Sequence, residues 1–266
     1  GDAEEILIPT MVKKAFGVSL DELGISLINI RSTGFENVAQ LFHNDRIQRK
    51  CAILTDLDDA ICDTTEVVGD SDALKKYKKK VAGSKQKGLA RKVKLDAFEV
   101  GNIWVKAFYA KHTFEVDFIT EGNELEVKKI INQVYVDQDT RDTAKADIED
   151  ADVSIYGKRV LTMAKQEGKG WFAIMLGKHI SYKTILPSYI IDAIFFAKET
   201  SPNIIADIID YRIKKNFGDD NKLDFTSCKV ELLKYRNGET TLGDLAFDFD
   251  LVIPDDQILT LIDKLK

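Results

Sequence analysis

The sequence predicts an α/β fold, a mainly parallel sheet flanked by helices, with a helical basic insertion and a smaller C-terminal α+β region. Short apolar runs of strand length alternate with longer stretches of helical periodicity. One of these runs, Ala52-Ile53-Leu54-Thr55, leads straight into Asp56-Leu57-Asp58. Of 266 residues, 44% are hydrophobic, enough to bury one substantial core or a core plus a satellite.

Residues 3–16 place Ile6, Leu7, Met11, Val12 and Ala15 at helical spacing. Glu4 and Glu5 suit the positive end of that helix, and Pro9 is expected in its first turn. Residues 25–30 (ISLINI) read as a short buried strand, 35–45 as a helix, 50–55 as a second strand and 102–109 as a third, opened by Gly101. Between the last two lies an insertion over about 63–99. Helices are expected over 124–134, 144–166, 170–180, 189–198, 204–215 and 255–265. The alternating segment 245–253 reads as a strand, with Asp248 and Asp250 on its outward face. A pattern change near Thr184 divides the chain into 1–183 and a helical or mixed region over 184–266.

The charge is unevenly spread. From Leu74 to Lys94 stand ten cations and no acid: Lys75, Lys76, Lys78, Lys79, Lys80, Lys85, Lys87, Arg91, Lys92 and Lys94. The chain as a whole carries −6, so removing this +10 leaves −16 on the remainder. Such a block is either a solvated helix or a segment for a polyanionic partner. Cys51, Cys62 and Cys228 lack metal-site spacing and read as reduced thiols. With no leader-like start and no apolar run of membrane length, the expected location is the cytoplasm.

An apolar strand ending in Asp-x-Asp puts two carboxylates at the C-terminal edge of a parallel sheet, where open α/β sheets place their sites. Carboxylates that close repel one another unless neutralised, and Mg²⁺ is a cation that takes such oxygen ligands. The same pattern is also common in turns. His43, His112 and His179 are scattered singly and read as structural or surface residues.

Four motifs in order add a resemblance. The opening run GDAEEILIPTMVKKAFGVSLDELGISLINI resembles the start of the TOPRIM domain of OLD-family (overcoming lysogenization defect) ATP-dependent endonucleases. In that family an apolar strand ends in Glu-Gly and a further acid follows, which falls here on Glu4. Ile53-Leu54-Thr55-Asp56-Leu57-Asp58 is similar to the family's metal-binding strand. Lys111-His112-Thr113-Phe114-Glu115-Val116-Asp117 resembles its Thr-Leu-Glu-Tyr-Asp motif, and Gly168-Lys169-Gly170-Trp171-Phe172-Ala173 its Lys-Gly-x-Phe-Ala motif.

The resemblance implies a TOPRIM-type, Rossmann-like nuclease domain over 1–183. Glu4, Asp56, Asp58 and Glu115 would hold Mg²⁺ or Mn²⁺, and Lys169 and Glu115 would serve catalysis. Asp2, Asp59 and Asp117 are secondary acids. DNA is the implied partner, with the ten cations of 74–94 as its contacts. The resemblance further implies one more Glu and one more strand ahead of Gly1, an ATPase domain preceding this region, and assembly with itself or a partner protein. No GxxxxGK[ST] occurs, so ATP enters only through that ATPase domain.

Two other readings compete. Leu54-Thr55-Asp56-Leu57-Asp58-Asp59-Ala60 is similar to the first motif of haloacid-dehalogenase-type phosphatases, with Asp56 as nucleophile, but Asp59 and Ala60 replace its Gly and Thr. A DNA-binding or assembly module without catalysis would need only the basic block and the C-terminal region.

Overall fold

The computed structural model describes residues 1–31, 34–198, 202–254 and 256–264. It is an α/β fold in which helices surround a small parallel sheet. Helix α1 (Asp2–Phe16) carries three acids in its first turn, Lys13 and Lys14 in its last, and ends on Gly17 in the left-handed region. Pro9 stands well inside the helix rather than in the first turn. Tertiary packing overrides the lost hydrogen bond, because Leu7, Ile8, Met11 and Val12 around it are buried.

Strand β1 (Cys51–Asp56) pairs in parallel with β2 (Val105–Ala110), and the register sets Asp56 beside Ala110. The run 25–30 is not a strand, contrary to the sequence expectation. It has no regular secondary structure, and no ladder forms there among the described residues. A cavity of about 1000 Å³, lined by residues of 24–31 and by Cys51, Ala52, Ile53 and Leu54, separates it from β1. Without a neighbour within hydrogen-bonding reach, an apolar pattern alone makes no strand.

The expected helix over 35–45 shortens to α2 (Phe35–Ala39). The insertion folds as one long helix, α3 (Asp72–Glu99), started by the Ser71 hydroxyl accepting from the Leu74 amide. Helices α4 (Phe114–Thr120) and α5 (Glu124–Val134) follow β2. The single helix expected over 144–166 is two, α6 (Gln138–Glu149) and α7 (Val153–Glu167). The break arises because Asp152 caps the second, accepting from the Ser154 amide. Helix α8 (Lys169–Gly177) comes next.

Beyond residue 184 the described residues hold only helices: α9 (Ser188–Ala197), α10 (Pro202–Asp219), α11 (Thr226–Arg236), α12 (Leu242–Asp250) and α13 (Gln257–Asp263). The segment 245–250 is therefore helical and 251–253 a turn, and the mixed α+β expectation for this region gives way to helix among the described residues. A capping box starts α12: the Thr241 hydroxyl accepts from the Asp244 amide, and the Asp244 carboxylate accepts from the Thr241 amide. This region is no satellite. Helix α9 packs on both strands, α10 packs on α1, and one apolar core runs from Leu7 to Ile262. A smaller cluster of Ala39, Ile53, Leu95, Val105 and Ala107 ties α2 and α3 to the sheet. No described helix is long and apolar enough to cross a membrane.

Candidate metal and phosphate site

The end of β1 is shaped by α3. Gly88 of α3 lies directly against the Leu57 carbonyl; a Cβ added there would stand 2.5 Å from the carbonyl carbon and overlap its oxygen. One turn on, the Arg91 guanidinium donates to the Asp56 carbonyl and pairs with the Asp58 carboxylate at 3.5 Å. Asp58 itself adopts a φ of 53°, a conformation aspartate tolerates better than most residues. Lys85 pairs with Asp59 at 2.7 Å. The Asp56–Asp59 loop is thus clamped by one face of the basic helix.

Three acids from separate elements gather beside that loop: Glu4 of α1, Asp56 at the end of β1, and Glu115 in the first turn of α4. Glu115 is 1% exposed, although its sequence position alone read as a solvated charge. Burial, then the charges of Glu4, Glu115 and Asp58, push the Asp56 carboxyl up to about 7 against the pull of Lys169. Lys169, the first residue of α8, reaches Glu115 at 3.1 Å. Partial burial pulls its ammonium down, but Glu115, Asp56 and Glu4 more than offset this and hold it above the usual lysine range. Lys169 is therefore a fixed cation, not a base.

Several polar atoms at this place lack hydrogen-bond partners. Among the described residues, five buried side-chain polar atoms accept or donate none: Arg91 Nε, Thr113 Oγ1, Glu115 Oε1, Tyr189 OH and His179 Nε2. Arg91, Thr113 and Glu115 belong to the acid cluster or the segments framing it, and Tyr189 feels its charges. Lys169 donates to the Glu115 Oε2 at 3.3 Å and its ammonium stands 3.1 Å from Oε1, which accepts no hydrogen bond. Orphaned buried oxygens and a surplus of acid over base fit a hard divalent cation. As the side chains stand, no three acid, histidine or cysteine groups among the described residues converge on one point at ligand distance. Asp58 in particular is turned toward Arg91.

The secondary acids have other partners. Asp117 accepts from the amides of Lys111 at 2.7 Å and His112 at 3.2 Å, bracing the turn before α4. His112 Nδ1 sits 2.9 Å from the Asp59 carbonyl. Asp2 accepts from Asn29. The cations of 74–94 also divide. Lys78 is buried, donating to Asp70 and the Thr65 carbonyl at 2.8 Å. Lys85 and Arg91 hold the β1 loop, and Lys92 pairs with Asp96 at 2.6 Å. Lys76, Lys79, Lys80, Lys87 and Lys94 are exposed, and Lys75 is half-exposed. Sequence reasoning missed Arg91 and Gly88 as parts of this place, because no local pattern announces a contact made across more than thirty positions.

Residues 1–58 match the family described as the overcoming lysogenization defect protein-like TOPRIM domain. The fold is similar to the C-terminal region of the Burkholderia pseudomallei OLD protein, at 25% identity and a TM-score of 0.52 over 73% of this chain and 91% of that one. It is also similar to the C-terminal region of the Xanthomonas campestris pv. campestris OLD protein, at 19% identity and a TM-score of 0.50 over 80% and 93%. No curated protein sequence matches the chain. Family match and architecture agree: this chain carries an OLD-like TOPRIM domain within the fold of an OLD C-terminal region.

Proposed function

We propose that the chain is the nuclease part of a larger ATPase–nuclease and hydrolyses DNA phosphodiesters with the help of Mg²⁺ or Mn²⁺. The observation that carries this reading is that the charges of Glu4, Asp56 and Glu115, from three separate elements, act on one another and on the Lys169 ammonium, which stands 3.1 Å from Glu115. A bound divalent cation would supply charge neutralisation and an activated water.

The residues of the chain do the rest. Glu4, Asp56, Asp58 and Glu115 would hold the cation. The ammonium of Lys169, at the N-terminus of α8, stabilises negative charge developing on the phosphoryl oxygens. The exposed lysines of α3, chiefly Lys76, Lys79, Lys80, Lys87 and Lys94, hold backbone phosphates beside the site and give salt-dependent, sequence-indifferent affinity.

The test is nicking of supercoiled plasmid with Mg²⁺ or Mn²⁺, alongside Asp56→Ala and Asp58→Ala. Cleavage lost in both variants while their fold persists supports the proposal. Cutting by either variant at the parent rate overturns the site.

A further inference from the structure

Lys76, Lys80, Lys87 and Lys94 recur along α3 at spacings of four, seven and seven, so they share one stripe of the helix, and all four are exposed. Arg91 follows Lys87 by four positions and precedes Lys94 by three, so it borders that stripe. On its other flank are Gly88 and Leu95, the buried positions that seat α3 on the β1 loop and on the sheet. Arg91 is thus the cation at the seam between the lysine stripe and the Asp56–Asp59 loop.

Its guanidinium is only partly engaged there. Both of its hydrogen bonds leave from Nη2, one to the Asp56 carbonyl and one to the Asp58 carboxylate at 3.5 Å, the outer limit for such a bond. Nε is buried and donates to nothing. A guanidinium is a planar fork that binds phosphate as readily as carboxylate, two bonds at a time, and Asp58 takes only one of them. Asp58 is also one of the four acids of the proposed metal site, and a carboxylate held by one cation is a poorer ligand for another. We infer that Arg91 exchanges partners: when DNA lies along the lysine stripe, the guanidinium leaves Asp58 for a backbone phosphate, and the freed Asp58 turns to the divalent cation. DNA and metal then bind cooperatively, each raising the affinity for the other by the same factor. The inference rests on the metal-site and DNA readings above.

Two titrations test it, neither of which allows cleavage. Mn²⁺ is titrated into the DNA-free chain, following the free-ion paramagnetic resonance signal, and a short fluorescent duplex is titrated in chelator, following anisotropy. The proteins are the parent, Arg91→Gln, Asp58→Asn, the double variant and Asp56→Ala. Arg91→Gln is expected to bind Mn²⁺ about fivefold more tightly than the parent but the duplex more weakly, with a salt slope lower by about 1. Asp58→Asn is expected to bind the duplex about fivefold more tightly, a gain that disappears in the double variant. Unchanged or weaker Mn²⁺ binding by a folded Arg91→Gln overturns the inference. So does an Asp58→Asn gain that persists without Arg91, which marks plain repulsion between the acid and DNA. Should Arg91→Gln fail to fold, the Asp58→Asn arm decides: a tighter duplex supports the exchange and parental affinity overturns it. The underlying readings fail separately: the metal site falls if Asp56→Ala binds Mn²⁺ like the parent or the parent binds none, and the DNA reading falls if the parent binds no duplex.

Discussion

Replacing Gly88 with alanine sets two opposing effects against each other. In a helix interior alanine is favoured over glycine by about 1 kcal/mol, and Gly88 lies well within α3. Helix propensity alone therefore predicts a more stable protein. The structure reverses the sign. The added Cβ would stand 2.5 Å from the Leu57 carbonyl carbon and 3.0 Å from its Cα, where a comfortable contact needs roughly 3.5–4 Å. The obstructing atoms are backbone, so no rotamer change relieves the clash, and either the Leu57 peptide or α3 must retreat by about 1 Å. Overpacking of this kind costs about 1–3 kcal/mol. Set against the propensity gain, the net loss is up to about 2 kcal/mol, or a melting temperature lower by about 4–8 °C for a chain of this size. The Leu57 peptide joins Asp56 to Asp58, so the same retreat misplaces both carboxylates, and a shift of that size can lower catalysis about 100-fold. Thermal unfolding and plasmid nicking, measured on the same preparation, read both consequences. A Gly88→Ala protein that melts higher than its parent and cuts at the parent rate would refute the packing of α3 on the β1 loop.

Further expectations follow from the same geometry. The Asp56 carboxyl is held at about 7 against an ordinary 3.8, so the metal-free folded chain keeps a proton that the unfolded chain has released. The stability contributed by Asp56 is therefore fully present below about pH 4, is lost as pH rises through about 4 to 7 by at most about 4 kcal/mol, and levels off above. Urea unfolding in chelator at both ends of that window should show the loss in the parent and much less of it in Asp56→Asn; equal losses would contradict the burial of Asp56. Lys169→Met should lower the cleavage rate about 10²–10³-fold with little change in the DNA concentration needed for half-maximal rate, and Lys169→Arg should recover part of it. A Lys169→Met enzyme of parental rate would remove the cation from the chemistry. Neutralising Lys76, Lys79 and Lys80 together should flatten the salt dependence of DNA binding by about 2–3 in slope. Lys78→Ala should instead lower the melting temperature, since Lys78 is buried on Asp70 and the Thr65 carbonyl; a stable Lys78→Ala protein with weakened DNA binding would place it on the surface.

Local pattern carried the elements whose chemistry is local. Residues 124–134 alternate apolar and polar positions at helical spacing, and α5 has those bounds. The apolar run into Asp56 is a strand because β2 supplies its ladder. The equally apolar run over 25–30 is not, because its pairing partner is a matter of tertiary placement. The segment 245–253 misled for a different reason: its alternation fits a strand, but the Thr241 capping box commits the chain to a helix. Glu115 looked solvated because burial is invisible in one dimension.

From the sequence alone came the carboxylate-bearing strand, the order of the four motifs and the concentration of cations in one insertion, all properties of neighbouring residues. Only the tertiary structure decided which cations remain exposed, that Arg91 and Gly88 shape the Asp56–Asp59 loop, and that Glu115 is buried against Lys169. The physical reason is the same in each case. Charged groups and backbone act through space over a few ångströms, and folding alone makes neighbours of residues that the chain holds more than thirty positions apart.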